Sequence, residues 1–131
     1  MALLLTLPRR LTAALAVAAG LLIALPAAAA DPAHGKGVFA AQCSMCHSSA
    51  RGGAAILGPT LFGVVGRPAG AIGGYNFSPA MKSAGFAWSD NKLHAYLAAP
   101  AKMLPGIKMA YGGVKNSAQL DDLVAYLDTL K

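Results

Sequence analysis

Cys43-Ser44-Met45-Cys46-His47 is the stretch on which the reading of this 131-residue chain turns. Two cysteines three positions apart, followed at once by a histidine, form the attachment pattern of a c-type haem. On a helix, positions i, i+3 and i+4 share one face, so Cys43, Cys46 and His47 can all address one flat object. Two thiols can add across two porphyrin vinyl groups while the imidazole reaches the iron from one side. The chain has no other cysteine, so none is left for a disulfide or a second metal site. A thioredoxin-like redox pair requires a βαβ context, and no strand pattern lies nearby. Zinc takes about four ligands; beyond the motif only His34 and His94 offer nitrogen, and neither is spaced as a second ligand pair. One covalently bound haem c is therefore the expected cofactor.

Upstream of the motif, Asp31-Pro32 reads as a helix start, with Asp as N-cap and Pro at the first helical position. That first helix is expected to run from Asp31 to about His47, with Val38 and Phe39 as its apolar contacts. Gly35 and Gly37 inside it each cost about 1 kcal/mol relative to Ala, and close approach of another backbone is the usual reason. Before Asp31, Arg9-Arg10 precede an apolar run from Leu11 to Leu25, and Ala27 to Ala30 follow. This order is that of a secretory signal, with cleavage expected after Ala30. An uncleaved anchor would need about 20 apolar residues and a tether where a helix begins instead. Removal of residues 1–30 leaves 101 residues, one domain at 31–131. Arg9 and Arg10 leave with the signal, so nine basic residues face five acidic ones, a net charge of +4. A domain this small buries only about 60–65% of its unfolded surface, and a covalently held haem would complete its core.

Downstream, Ser48 to Phe77 is rich in Gly and Pro and has no sustained period. Such long loops are rare in compact domains unless they wrap something. Ser78 to Ala84 reads as a short helix ended by Gly85. Ser89 or Asp90 caps a helix to Ala99 with Leu93, Tyr96 and Leu97 inward, stopped by Pro100. Pro100 to Lys115 reads as a second loop. Asn116 caps the last helix, with Gln119 placed for a capping box and an apolar stripe of Leu120, Leu123, Val124, Leu127 and Leu130. No strand pattern competes, and the domain is expected to be all-α.

His47 fills one axial position of the iron. Thioether sulfur opposite it favours ferrous iron and suits an electron carrier. Met45 lies within the motif and cannot reach across the ring, and Met81 reads as core filler in the short helix. Met103 and Met109 both lie after Pro100, and the residues alone leave the choice between them, or neither, open. His94 reads as a helix-surface residue.

The mature chain resembles the class I cytochromes c of the mitochondrial and bacterial soluble type over nearly its whole length. Gly58-Pro59-Thr60-Leu61 is similar to the family's proline loop, whose proline carbonyl accepts the ligand histidine's ring N–H and fixes its tautomer. Leu104-Pro105-Gly106-Ile107-Lys108-Met109 is similar to its ligand-methionine segment, and the resemblance selects Met109 over Met103. Gly35 and Phe39 match first-helix positions that pack on the last helix, where Leu123 and Tyr126 stand. Gly66-Arg67, Phe86-Ala87-Trp88 and Leu93 to Leu97 align without gaps between Pro59 and Met109. The resemblance implies the small cytochrome c fold, helices and long loops wrapped around one covalently attached haem. It places Cys43 and Cys46 on the thioethers and His47 and Met109 on the iron. It further implies Trp88 on a propionate, Arg67 near it, and Tyr96 beside the methionine. The chain departs from the family at Phe77 (commonly tyrosine), Ile107 (a hydroxyl residue), Met81 (a polar residue) and Tyr111 (usually phenylalanine). The first three bear on haem tuning.

The function so implied is a periplasmic, monomeric single-haem carrier passing one electron at a time between respiratory or photosynthetic complexes, not an enzyme. Lys82, Lys102, Lys108 and Lys115 would by resemblance border the haem edge and steer docking to acidic surfaces. A cytochrome bc-type complex, a terminal oxidase, a reaction centre or a periplasmic dehydrogenase are the expected partners. Nucleic acid is not, since no aromatic-basic interleaving is present. Two other classes carry the same motif: an open-iron haem enzyme or gas sensor, and a cytochrome subunit permanently bound in a larger complex.

Overall fold

The computed structural model describes residues 28–131, so the expected signal segment lies, up to residue 27, outside the described residues. Five helices form in the order α1 (Pro32–Gln42), α2 (Pro79–Lys82), α3 (Asp90–Ala98), α4 (Pro100–Met103) and α5 (Ser117–Asp128). Among the described residues there is no strand, only an isolated antiparallel bridge between Pro68 and Ala87. None of the described helices is long and apolar enough to cross a membrane.

Helix α1 starts as its sequence dictates: the Asp31 carboxylate accepts from the Ala33 N–H at 2.8 Å and Pro32 occupies the first turn. It ends at Gln42, five residues short of the expected His47. The Ser44 hydroxyl donates to the Ala40 carbonyl at 2.7 Å, taking the acceptor that a continuing helix would use for its own N–H. The Ser44 N–H goes instead to Phe39 O at 3.0 Å, alongside that of Cys43 at 2.8 Å. A fresh turn then opens at Cys43, whose carbonyl accepts from Cys46 N–H (3.0 Å) and His47 N–H (2.9 Å). The i, i+3, i+4 relation of Cys43, Cys46 and His47 thus survives in a single turn set off from the helix.

Helix α1 packs against α5 more extensively than any other helix pair does. The contact is so close that a Cβ on Gly35 would stand 1.9 Å from Asp122 O. Phe39 and Tyr126 stack beside it, their centroids 5.6 Å apart. Gly37 meets nothing within 4 Å and is exposed, so only Gly35 of the two expected close-approach glycines is one. Above the same contact, Asp122 accepts from the Asp31 backbone N–H at 2.6 Å and from His34 Nδ1–H at 2.5 Å.

The α5 N-terminus is capped by Asn116, which accepts from Gln119 N–H at 3.0 Å, and Leu120, Leu123, Val124 and Leu127 are buried. Ser89 caps α3, and Leu93, Tyr96 and Leu97 face inward. The segment after Pro100 is not wholly loop: α4 forms directly, with Leu104 N–H bonded to Pro100 O at 3.0 Å. Pro100 ends α3 because it has no N–H to give, and the same fixed φ suits the first position of a new helix.

The long loop from Ser48 to Phe77 is held by the elements around it. Gly58 N–H donates to Cys46 O (2.8 Å), Leu61 N–H to Ser48 O (2.8 Å), Gly63 N–H to Leu130 O (2.6 Å) and Gly66 N–H to Trp88 O (2.7 Å). The Arg67 guanidinium ties it internally, donating to Thr60 O at 2.8 Å and Phe62 O at 3.3 Å.

Candidate functional site

Helix α1, the long loop, α2, α3 and the segment before Tyr111 enclose a cavity of about 460 Å³, within the size range of small-molecule and cofactor sites. Cys43, Cys46 and His47 line it together with Pro59, Arg67, Trp88, Tyr96 and Met109. All the site residues singled out in the sequence therefore meet in one place. Met103, in α4, lies outside that lining.

The histidine is oriented from behind. Its Nδ1–H donates to the Pro59 carbonyl at 2.7 Å, which makes Nε2 the unprotonated, metal-competent nitrogen. The loop can come this close because residue 58 is glycine: a Cβ there would lie 2.3 Å from His47 Cε1. Both cysteines are free thiols. Burial first, and Cys46 second, push the Cys43 thiol up to about 11.

Ile107, Lys108, Met109 and Tyr111 form a further part of the cavity wall. Tyr111 donates its hydroxyl to Gln42 Oε1 at 2.5 Å, joining this wall to the end of α1. Tyr96 is buried, and desolvation, with a smaller contribution from Tyr75, raises its phenol to about 12. It is therefore a neutral hydroxyl throughout the physiological range. Trp88 is also buried, in edge contact with Phe86 (5.0 Å) and tilted against Tyr96 (5.0 Å). Burial lowers the pKa of Arg67, yet a guanidinium stays charged, so Arg67, with Lys108, puts positive charge in an otherwise largely apolar lining.

Among the lining residues given no site role in the sequence are Ser78 and Tyr75. Ser78 is the buried cap of α2, accepting from Met81 N–H at 3.1 Å; the sequence marked it only as the start of a short helix. Tyr75 donates to Leu57 O at 3.3 Å and sits edge-on to Phe77 at 4.8 Å. Met81 is buried as core filler and also lines the cavity. His94 bonds Asp121 at 2.9 Å on the surface between α3 and α5, away from the lining residues.

The donor set fits a covalently attached haem: two thiols on one turn, an imidazole with its Nε2 lone pair available, and a methionine thioether in the lining of the same cavity. Comparison with known proteins agrees. The family described as cytochrome c matches residues 32–131. The chain is 42% identical over 101 residues to a cytochrome c2 of Rhodopila globiformis, covering 77% of this chain and 94% of that one. It is 40% identical over 100 residues to a cytochrome c of Gibberella zeae, covering 76% and 94% respectively. Among solved structures, cytochrome cH from Methylobacterium extorquens superposes with a TM-score of 0.70 at 42% identity, covering 76% of this chain and 98% of that chain. The chain belongs to the class I cytochrome c family, electron-transfer proteins rather than enzymes that carry covalently attached haem c.

Proposed function

We propose that the chain is a soluble periplasmic carrier whose haem iron is held between His47 Nε2 and Met109 Sδ, with thioether bonds to Cys43 and Cys46. The observation that carries this reading is that one cavity lining holds both His47, oriented by its hydrogen bond to Pro59, and Met109, but not Met103. The bound haem supplies a one-electron ferric/ferrous couple. Pro59 holds the imidazole in one tautomer and one orientation and raises its basicity as a ligand. Met109 supplies a soft neutral sulfur that favours the reduced state. Arg67, Trp88, Tyr75 and Ser78 put a cation and several N–H and O–H donors into the cavity wall, where the carboxylates of a porphyrin would be received. Tyr96, neutral and buried, adds a hydroxyl without a titrating charge.

Export rests on the Arg9-Arg10, apolar run and small-residue order, with cleavage after Ala30. The redox partners are membrane or periplasmic complexes with acidic docking faces. The ligation is tested by the visible spectrum of the holoprotein, ferric and ferrous, before and after carbon monoxide. The expected spectrum is low-spin, unchanged by carbon monoxide, with a weak ferric sulfur-to-iron band that is lost in Met109→Ala and kept in Met103→Ala. A high-spin spectrum that shifts readily with carbon monoxide would refute it. The mass of the exported holoprotein tests the cleavage site.

A further inference from the structure

Asp122, half-buried along α5, spends both carboxylate oxygens on the start of α1. Its Oδ1 accepts from the Asp31 backbone N–H at 2.6 Å and its Oδ2 from His34 Nδ1–H at 2.5 Å. The Asp31 N–H, and then His34, hold this carboxyl below its ordinary value, so it is an anion at neutral pH. Among the described residues no Lys or Arg pairs with it. A half-buried carboxylate that joins two helices thus has no permanent counter-charge.

The nitrogen at 2.6 Å is the atom that cleavage after Ala30 would change. The Asp31 carbonyl accepts from Gly35 N–H at 2.9 Å and its carboxylate from Ala33 N–H at 2.8 Å. Pro32 confines Asp31 to extended backbone, at φ −107° and ψ 105°. The position of the Asp31 nitrogen is therefore set by residues that remain after cleavage. Ala28, Ala29 and Ala30 are exposed and belong to no helix. Hydrolysis breaks the C–N bond between Ala30 and Asp31. The oxygen of water goes to the Ala30 carbonyl carbon, leaving a carboxylate, and its two hydrogens go to nitrogen, leaving an α-ammonium on Asp31.

We propose that Asp122 is the receiving site for this new α-ammonium, so that removal of the leader replaces an N–H···O bond by an ion pair that fastens α1 to α5 in the processed chain. This rests on the cleavage reading above and goes beyond it to a structural role for the new terminus. The charged groups of the two helices leave that pairing open. On α1, the Asp31 carboxylate caps Ala33 N–H, His34 takes the other oxygen of Asp122, and Lys36 is exposed. On α5, Asp121 bonds His94 at 2.9 Å and Asp128 pairs with Lys131 at 3.1 Å. The positive end of the α1 dipole opposes a cation at its start, and the Asp31 carboxylate at the same end offsets it.

An α-amino group ordinarily titrates at about 7.7–8.0, and a carboxylate in contact raises that value. A group raised by folding stabilises fully below its unfolded pKa, and that stability is lost as pH rises through the folded one. The pairing therefore has its own signature, a loss of stability above about pH 8, on the opposite side of neutrality from the titration of Asp122 itself.

The test compares holoproteins that begin at Asp31 or, one residue longer, at Ala30, each released from its leader by a site-specific protease. Both are made in the native and Asp122→Asn backgrounds; asparagine keeps an oxygen acceptor and removes the charge. Thermal unfolding is followed from about pH 6 to 10, either side of the ordinary α-amino value. At pH 7 the chain beginning at Asp31 is expected to unfold about 2–4 °C above the longer one. That gap should close as pH rises above about 8 and should be absent in Asp122→Asn. Trace acetylation at pH 7, read by mass spectrometry of the N-terminal peptide, gives a second measure. The Asp31 α-amine should be labelled about three- to tenfold more slowly in the native background than in Asp122→Asn, as its neutral fraction falls with a raised pKa. A gap that does not change with pH, or equal labelling in the two backgrounds, would overturn the ion pair while leaving the cleavage reading standing. The mass of the protein exported with its own leader separates the two: an N-terminus other than Asp31 would overturn cleavage after Ala30, and this use of Asp122 with it.

Discussion

Replacing Gly35 and Gly37 separately by alanine puts the α1–α5 contact to a quantitative test. The two positions share a helix and differ in what an added methyl would meet. At Gly37 it meets nothing within 4 Å. Gly37→Ala then gains only the helix preference of alanine, about 0.5–1 kcal/mol, which raises Tm by about 2–8 °C in a domain of this size. At Gly35 the new Cβ would lie 1.9 Å from Asp122 O and 2.9 Å from Tyr126 Cβ. An ordinary carbon–oxygen contact is about 3.3 Å, so α1 must withdraw by more than about 1 Å. The obstacle is backbone, which no rotamer change relieves. Overpacking of this kind costs about 3 kcal/mol at the upper end of its usual range. Offset by about 1 kcal/mol of propensity, the net loss is about 2 kcal/mol, or a fall in Tm of at least about 8 °C. Thermal unfolding of the ferric holoproteins by far-UV circular dichroism measures both. Movement of both variants in the same direction, or a Gly35→Ala Tm within about 2 °C of native, would refute the role given to that contact.

Three further outcomes follow from the site and its supports. Gly58→Ala places a Cβ 2.3 Å from His47 Cε1, and a high-spin fraction in the ferric spectrum is expected as the imidazole is pushed off its Pro59 bond. Tyr111→Phe removes the bond to Gln42, worth about 0.5–1.5 kcal/mol. Amide exchange across residues 105–113, followed by mass spectrometry, should accelerate about two- to tenfold. The Asp31 backbone N–H, and then the His34 hydrogen bond, hold the Asp122 carboxyl below its ordinary 3.8. A carboxyl depressed by folding stabilises fully above its unfolded pKa, and that stability is lost as pH falls through the lower folded value. Asp122→Asn is therefore expected to reduce Tm at neutral pH and to flatten the acid limb of the Tm–pH curve. An unaltered acid limb would show that the carboxylate does not couple the helices.

Much of this was legible in the sequence because it is written locally. Caps at Asp31, Ser89 and Asn116, the apolar stripe of α5 and the CxxCH spacing each act within one or two turns, and the helices lie close to where those signals put them. The long loop was legible as a loop, although its course was not, since the bonds that hold it run to residues as far away as Leu130 and Trp88. The early end of α1 turns on one hydroxyl, Ser44, choosing a backbone acceptor, which spacing does not encode. Helix α4 was hidden because Pro100 reads equally as a stop and a start. By spacing alone Gly37 looked like Gly35; the family resemblance singled out Gly35, and its neighbour Asp122 shows why. At the site, resemblance to a family supplied Pro59, Arg67, Trp88 and Tyr96, whereas Ser78 and Tyr75 needed the cavity itself.

The pairing of α1 with α5 has a consequence for timing. Helix α5, the partner that buries Gly35 and Phe39, follows α1 in the sequence and is therefore synthesised after it. Until α5 arrives, α1 lacks its main packing partner and the cavity lacks Leu127 from its lining. During that interval the thiols of Cys43 and Cys46 stand open to whatever machinery delivers the haem. The order of synthesis thus gives attachment a window before closure, and a chain ending before Asn116 should still accept haem while failing to fold around it.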